Sequence, residues 1–283
     1  MEPDTNVTKH TYAGVFLVSL ATLMYEILLT RVFSVTTWYH FAFFAVSVAM
    51  FGMTVGALIV YLSPNRFTQD QANYHLSLGS LLFAITTPLS FLAHMSIPFI
   101  TDGSFIGIGS MGLTYIVISV PFIFSGITVC IALTKFPLAV NKLYAADLAG
   151  GALGCILLVY ILNLTDAPTG ILVVAFCASA ASVLFIISST RTRLRRLAAI
   201  ASLLFVSLTF TQGLLALRNF PLLRIVWFKG EREERRPLYE KWNSFSYVRV
   251  FGDPKKLDFP AGPGAPAPIA RPRCTQASGR AGP

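Results

Sequence analysis

The chain has 283 residues, of which 54% are hydrophobic and 12% charged, with a mean hydropathy of +0.66 and a formal net charge of +9. Soluble domains carry about 25% charged residues, so this composition excludes an ordinary water-soluble domain. The charge is also unevenly placed: residues 1–190 hold five Lys/Arg and seven Asp/Glu, while residues 218–283 hold thirteen of the 22 basic residues. No basic stripe with interleaved aromatics marks a nucleic-acid surface, and no nucleic-acid partner is expected.

Residues 1–12 are acidic before they are basic and lack the positive start of a cleaved signal, so they read as a short cytoplasmic segment ahead of a retained first helix. A helix needs about 20 apolar residues to cross the hydrocarbon core. Runs that meet this test fall at 13–35, 41–62, 76–100, 112–133, 144–164, 168–188 and 197–217. Pro88 and Pro98 are expected to kink the third, and Gly and Pro also interrupt the fourth. The expected fold is therefore an all-α polytopic membrane helix bundle of about seven transmembrane helices over 13–217, with a short truncated soluble tail.

Seven Lys/Arg occupy the loops 63–75, 134–143 and 189–196, and none occupies 36–40, 101–111 or 165–167. This asymmetry places the N-terminus in the cytoplasm. Seven crossings then put the basic tail outside; a miscount within 76–133 is the preferred way out of that conflict. Beyond the helices, 218–241 reads as a basic juxtamembrane linker whose first part lies along the membrane surface. Residues 242–258 alternate as one half-buried strand ending in a turn, and 259–283 are so rich in Pro, Gly, Ala and Arg that disorder is expected.

Ionisable residues at membrane depth are costly and each needs a reason. Glu26 and Arg31 lie in the first helix, five positions apart, which makes them poor direct partners. Glu26 reads either as a substrate or proton site or as a structural group bonded to a neighbouring helix, and Arg31 either likewise or as a cation reaching the headgroups. Asp147 opens the fifth helix at the opposite face, beside Tyr144, Lys142 and Arg66, and so is not expected to pair with Arg31. Trp38, Tyr39, His40 and His94 form a candidate interfacial cluster at the Arg31 face, with Asp102 nearby.

Gly52 with Gly56, and Gly150 with Gly154, each spell G-x-x-x-G, so these residues are read as helix-packing positions, with self-association through the glycine faces as a further expectation. Gly107, Gly109 and Gly112 spell a dinucleotide fingerprint, but the spacing to the next acid is wrong and the motif is placed in a loop. Cys130, Cys155 and Cys177 sit in apolar runs, and no Cys/His cluster occurs with Cys274, so no disulfide, metal or cofactor is expected. No catalytic constellation is visible.

Three stretches resemble a known group. Residues 19–58, with Glu26 and Arg31 in an E-x-x-x-x-R frame before a glycine-bearing second helix, are similar to the opening of the membrane-anchored spermidine-synthase-like proteins of bacteria. Residues 141–158, NKLYAADLAGGALGCILL, resemble that group's entry to its fifth helix, and residues 238–250, LYEKWNSFSYVRV, resemble the leading strand of its synthase-like domain. The resemblance implies a bacterial inner-membrane protein whose membrane region precedes a domain that transfers an aminopropyl group from decarboxylated S-adenosylmethionine to a diamine. The cofactor loop and active-site acids of that domain match no position here, so the chain alone is expected to be inactive, with a tail that reads as a fragment or an out-of-frame product. A polyamine partner is implied by the resemblance alone; a small transporter and a pure scaffold are the alternatives.

Overall fold

The structure is a computed structural model that describes residues 8–37, 42–97, 104–187, 191–218, 221–225, 227–228, 231–232, 239–243, 247–250 and 274–276. It contains seven long helices: α1 (Lys9–Thr36), α2 (Ala42–Leu62), α3 (Ala72–Ser96), α4 (Phe105–Thr134), α5 (Val140–Leu164), α6 (Ala167–Ile186) and α7 (Thr192–Leu217). All seven are long and apolar enough to cross a membrane. Helices suit such sequences because each satisfies its own backbone N–H and C=O groups where water is absent.

The expected spans are all present; every one but the second starts earlier than expected, while the third and sixth end sooner, at Ser96 and Ile186. The fourth begins at Phe105, so the fingerprint glycines lie inside α4 and not in a loop. The reason is local: Ser104 caps this helix by accepting from the Gly107 backbone N–H at 3.1 Å. Pro88 stands within an unbroken α3, while Pro98 lies outside the described residues. The helix count leaves no missing or surplus span in 76–133, so the tail leaves the bundle at the end opposite to the N-terminus.

Helix directions follow from close contacts. Gly150 lies against the Phe16 carbonyl and Gly154 against the Leu20 carbonyl, so α5 runs parallel to α1. Gly52 meets Ser119 and Phe122, and Gly56 meets Ile123 and Ile127, so α2 runs parallel to α4. A methyl group at Gly150 would sit 2.2 Å from a backbone oxygen, which is why only glycine serves there. Both glycine pairs are thus filled from within the chain. The inner helices are α1, which touches α2, α4, α5 and α6, and α6, which lies between α1, α3 and α7. Helix α7 packs on one side and turns Leu197, Leu203 and Phe210 outward, as a lipid-facing helix does.

Residues 221–225 are irregular, and β1 (Trp227–Phe228) pairs antiparallel with β2 (Glu231–Arg232). The expected single strand over 242–258 is instead half of a hairpin. Strands β3 (Tyr239–Trp242) and β4 (Tyr247–Val250) pair antiparallel with Trp242 opposite Tyr247. Strand β5 (Cys274–Gln276) pairs with β4, which corrects the expectation of disorder at those three residues. Residues 251–273 and 277–283, where the rest of that expectation falls, lie outside the described residues.

Candidate functional site

The bundle interior is apolar, with hydroxyl groups set into it one level at a time. Ser19 of α1 donates to Asp147 of α5 near the N-terminal end. One turn deeper, Thr22 and Ser125 of α4 approach to 2.5 Å. The Tyr25 hydroxyl meets Ser90 of α3 at 2.9 Å, with its ring stacked on Phe122 at 5.0 Å. Between α3 and α6, Ser182 donates to the Ser77 carbonyl at 2.7 Å and meets the Ser77 hydroxyl at 2.9 Å. Such contacts are worth roughly 0.6 kcal/mol each in a membrane, up to about 1.7, so the set orients helices more than it glues them.

The sequence-predicted residues are dispersed along this bundle. Asp147 lies in the second turn of α5 on Ser19, far from Arg31, as the helix directions require. Glu26 and Arg31 are both half-buried on α1. His94 is buried at the other end, 3.3 Å from the Thr36 hydroxyl through Nε2 and edge-on to Phe33 at 5.0 Å, while its Nδ1 has no partner among the described residues. Trp38, Tyr39, His40 and Asp102 lie outside the described residues, so the expected cluster is represented by His94 alone. A cavity of about 50 Å³ opens beside this end, lined by Phe33, Thr37, Phe44, Val48, Met111, Thr114 and Tyr115. Its size suits one or two small groups and not an extended substrate.

The most connected polar centre was not foreseen. It stands where the α5–α6 turn meets the end of α7. Asp166 caps α6, accepting from the Thr169 backbone N–H at 2.9 Å and from the Thr169 hydroxyl. Gln212 of α7, 1% exposed, donates to Asp166 Oδ2 at 3.2 Å and to the Leu223 carbonyl at 3.0 Å. Its carbonyl oxygen accepts from the backbone N–H groups of Leu222 and Leu223 at 3.0 and 3.1 Å. One side chain therefore satisfies three backbone groups of the segment that leaves the helix bundle. Burial raises the Asp166 carboxyl above its ordinary range, the Thr169 and Gln212 hydrogen bonds oppose this, and the Glu240 carboxylate adds to the rise.

The hairpin completes the centre. Arg224 pairs with Glu240 at 3.1 Å, and the Tyr247 hydroxyl donates to the same carboxylate. The Trp242 and Tyr247 rings lie tilted against each other with centroids 4.5 Å apart, and with Ile225 they belong to the same buried apolar cluster as Phe205 and Ile171 of the bundle. No three His, Cys, Asp or Glu side chains among the described residues converge as metal ligands do.

No family model matches the chain, and neither a curated protein nor a solved structure matches it. The arrangement holds seven apolar helices in a fixed order and fastens the exit segment and the hairpin to one end of them.

Proposed function

We propose that this chain is a multi-pass membrane domain of the spermidine-synthase-like group, and that its work is to hold and orient the segment after α7 at the membrane surface. The observation that carries the reading is the Gln212 centre: its carboxamide holds Asp166 of the bundle and the 222–223 backbone together, and the hairpin seats Trp242 beside it. In the resembled group, the synthase-like domain begins at this point of the chain. The membrane is proposed to be the bacterial inner membrane with the N-terminus in the cytoplasm, a reading supported by the basic loops at that end. Hydrogen exchange on the reconstituted chain tests the anchoring role. Slow exchange at Leu222, Leu223 and 247–250 is expected, and exchange as fast as in a free peptide contradicts it.

Transport of a small amine is the second reading, favoured by Glu26, a half-buried acid at mid-helix depth. Polyamine uptake into vesicles that falls with Glu26→Gln supports it. Uptake that is absent, or unchanged by the substitution, leaves anchoring as the better account.

A further inference from the structure

The end of the bundle opposite to the N-terminus holds a cavity that anchoring does not use. Deeper in the bundle α2 and α4 touch through glycines, Gly52 on Phe122 and Gly56 on the Ile123 carbonyl. Toward this end, rings take the place of the glycines. Phe44 of α2 stands edge-on to Tyr115 of α4, with centroids 6.2 Å apart and planes at 86°. Phe51 packs tilted on the same Tyr115 ring at 6.0 Å. Phe33, in the last turn of α1, is 5% exposed and is held edge-on to His94 at 5.0 Å. The cavity of about 50 Å³ lies between these three helices, and Phe33, Phe44 and Tyr115 supply three of its seven described lining residues. Met111 adds a polarizable thioether, and none of the seven is charged. Thr37, at the rim of α1, donates its hydroxyl to the Phe33 carbonyl at 2.6 Å, so that proton is already used.

We propose that this cavity binds the quaternary ammonium group of a small organic cation. Aromatic rings attract a cation through their quadrupoles, more strongly where water is excluded, and the perpendicular Phe44 and Tyr115 rings form adjacent walls of such a cage. A primary ammonium suits the same walls poorly: it is strongly hydrated and carries three donors, and the described lining offers no carboxylate to replace its water. A methylated ammonium has no donor to satisfy. A wholly apolar ligand gains little by leaving the bilayer for this cavity, because lipid tails are as apolar as the walls. The volume is a few times the roughly 10–15 Å³ that a single water needs, so one such group fits and an extended chain does not. The inference rests on the reading that the helices lie in a bilayer and is independent of anchoring.

The test uses the full chain in a maltoside detergent, with choline as the probe and saturation-transfer NMR as the readout. Choline is expected to bind, and ethanolamine to bind about tenfold more weakly. Tyr115→Leu and Phe44→Leu should each weaken choline about tenfold, whereas Tyr115→Phe, which keeps the ring, should leave it unchanged. The uncharged alcohol in which carbon replaces the choline nitrogen should give the same signal with the parent and with Tyr115→Leu, the share of the micelle alone. Circular dichroism guards against loss of fold: equal helicity with weakened binding supports the cage, and the three probes compared on the parent decide the matter if a leucine variant unfolds. No choline signal above that of the micelle, ethanolamine as strong as choline, or undiminished binding in both leucine variants overturns it. Displacement of choline by an equal concentration of the alcohol assigns the cavity to apolar groups and overturns the cation. A chain that fails to insert into vesicles refutes the bilayer reading, a failure separate from loss of choline binding.

Discussion

Gln212 and Asp166 lie 46 positions apart in the chain, yet the Gln212 amide donates to the Asp166 carboxylate at 3.2 Å while both faces of its carboxamide hold the backbone of residues 222–223. A glutamine buried this completely is stable only because every polar atom has a partner. Its replacement by leucine, of similar volume, strips partners from Leu222, Leu223 and Asp166 together. The expected cost is about 1–3 kcal/mol, felt locally as release of the exit segment. Trypsin should cut the Gln212→Leu variant faster than the parent at Arg218 and Arg224; equal rates mean that the staple holds nothing.

Asp166 makes the same centre sensitive to pH. Its carboxyl is raised above the ordinary value of 3.8, chiefly by burial. The folded state therefore favours the protonated form, so the contribution to stability is full below about pH 4 and is lost as pH rises through the raised value. Thermal unfolding of the parent in detergent should show this decline. Asp166→Asn keeps a capping oxygen for Thr169 and cannot ionise, so its stability should follow a flatter course over the same range. Parallel curves for the two proteins contradict the assignment.

The close helix contacts predict a contrast between two glycines that both stand inside helices, Gly56 in α2 and Gly112 in α4. At Gly56 an added methyl would sit 2.3 Å from the Ile123 carbonyl oxygen, whereas at Gly112 nothing lies within 4 Å. Gly56→Ala is expected to lose about 1–3 kcal/mol by forcing α2 from α4. Gly112→Ala should be neutral or gain up to about 1 kcal/mol, because alanine favours the helix over glycine. Unfolding of the two variants by denaturing detergent separates them, and equal losses tell against the α2–α4 packing.

Much of this architecture was legible in the residues. Apolar length alone marks the seven spans, and the turn from Arg31 to Asp147 at opposite ends follows from counting crossings. The extra turns of α4 were hidden because Gly107 and Gly109 read as loop residues, while in a helix of 30 residues the propensity loss at two glycines is small beside the gain from satisfying the backbone. The Gln212 centre left no trace: one amide within an apolar run has no periodicity, and its partners, Asp166 and the 222–223 backbone, meet it only in three dimensions. The hairpin was half visible, since 247–250 alternates, but YEKW lacks the pattern of a strand and takes its form from pairing with β4.

Tyr25 offers a check on the interior. Its ring packs between Phe83 and Phe122 and its hydroxyl reaches Ser90 at 2.9 Å. Tyr25→Phe keeps the ring and leaves Ser90 its own bond to the Thr87 carbonyl at 3.0 Å, so a loss near 0.6 kcal/mol and below about 1.7 is expected. A loss of several kcal/mol in the same unfolding measurement shows that the hydroxyl does more than join α1 to α3.

The central claim is that seven helices cross the membrane and leave the exit segment at the face opposite to the N-terminus. Single cysteines at Lys9 and Arg218, in a chain whose own four cysteines are replaced by alanine, test it with a membrane-impermeant maleimide applied to intact spheroplasts and to lysed ones. The account predicts that Arg218→Cys is labelled in intact spheroplasts and Lys9→Cys only after lysis. Labelling of both positions from the same side means an even number of crossings and contradicts the seven-helix arrangement.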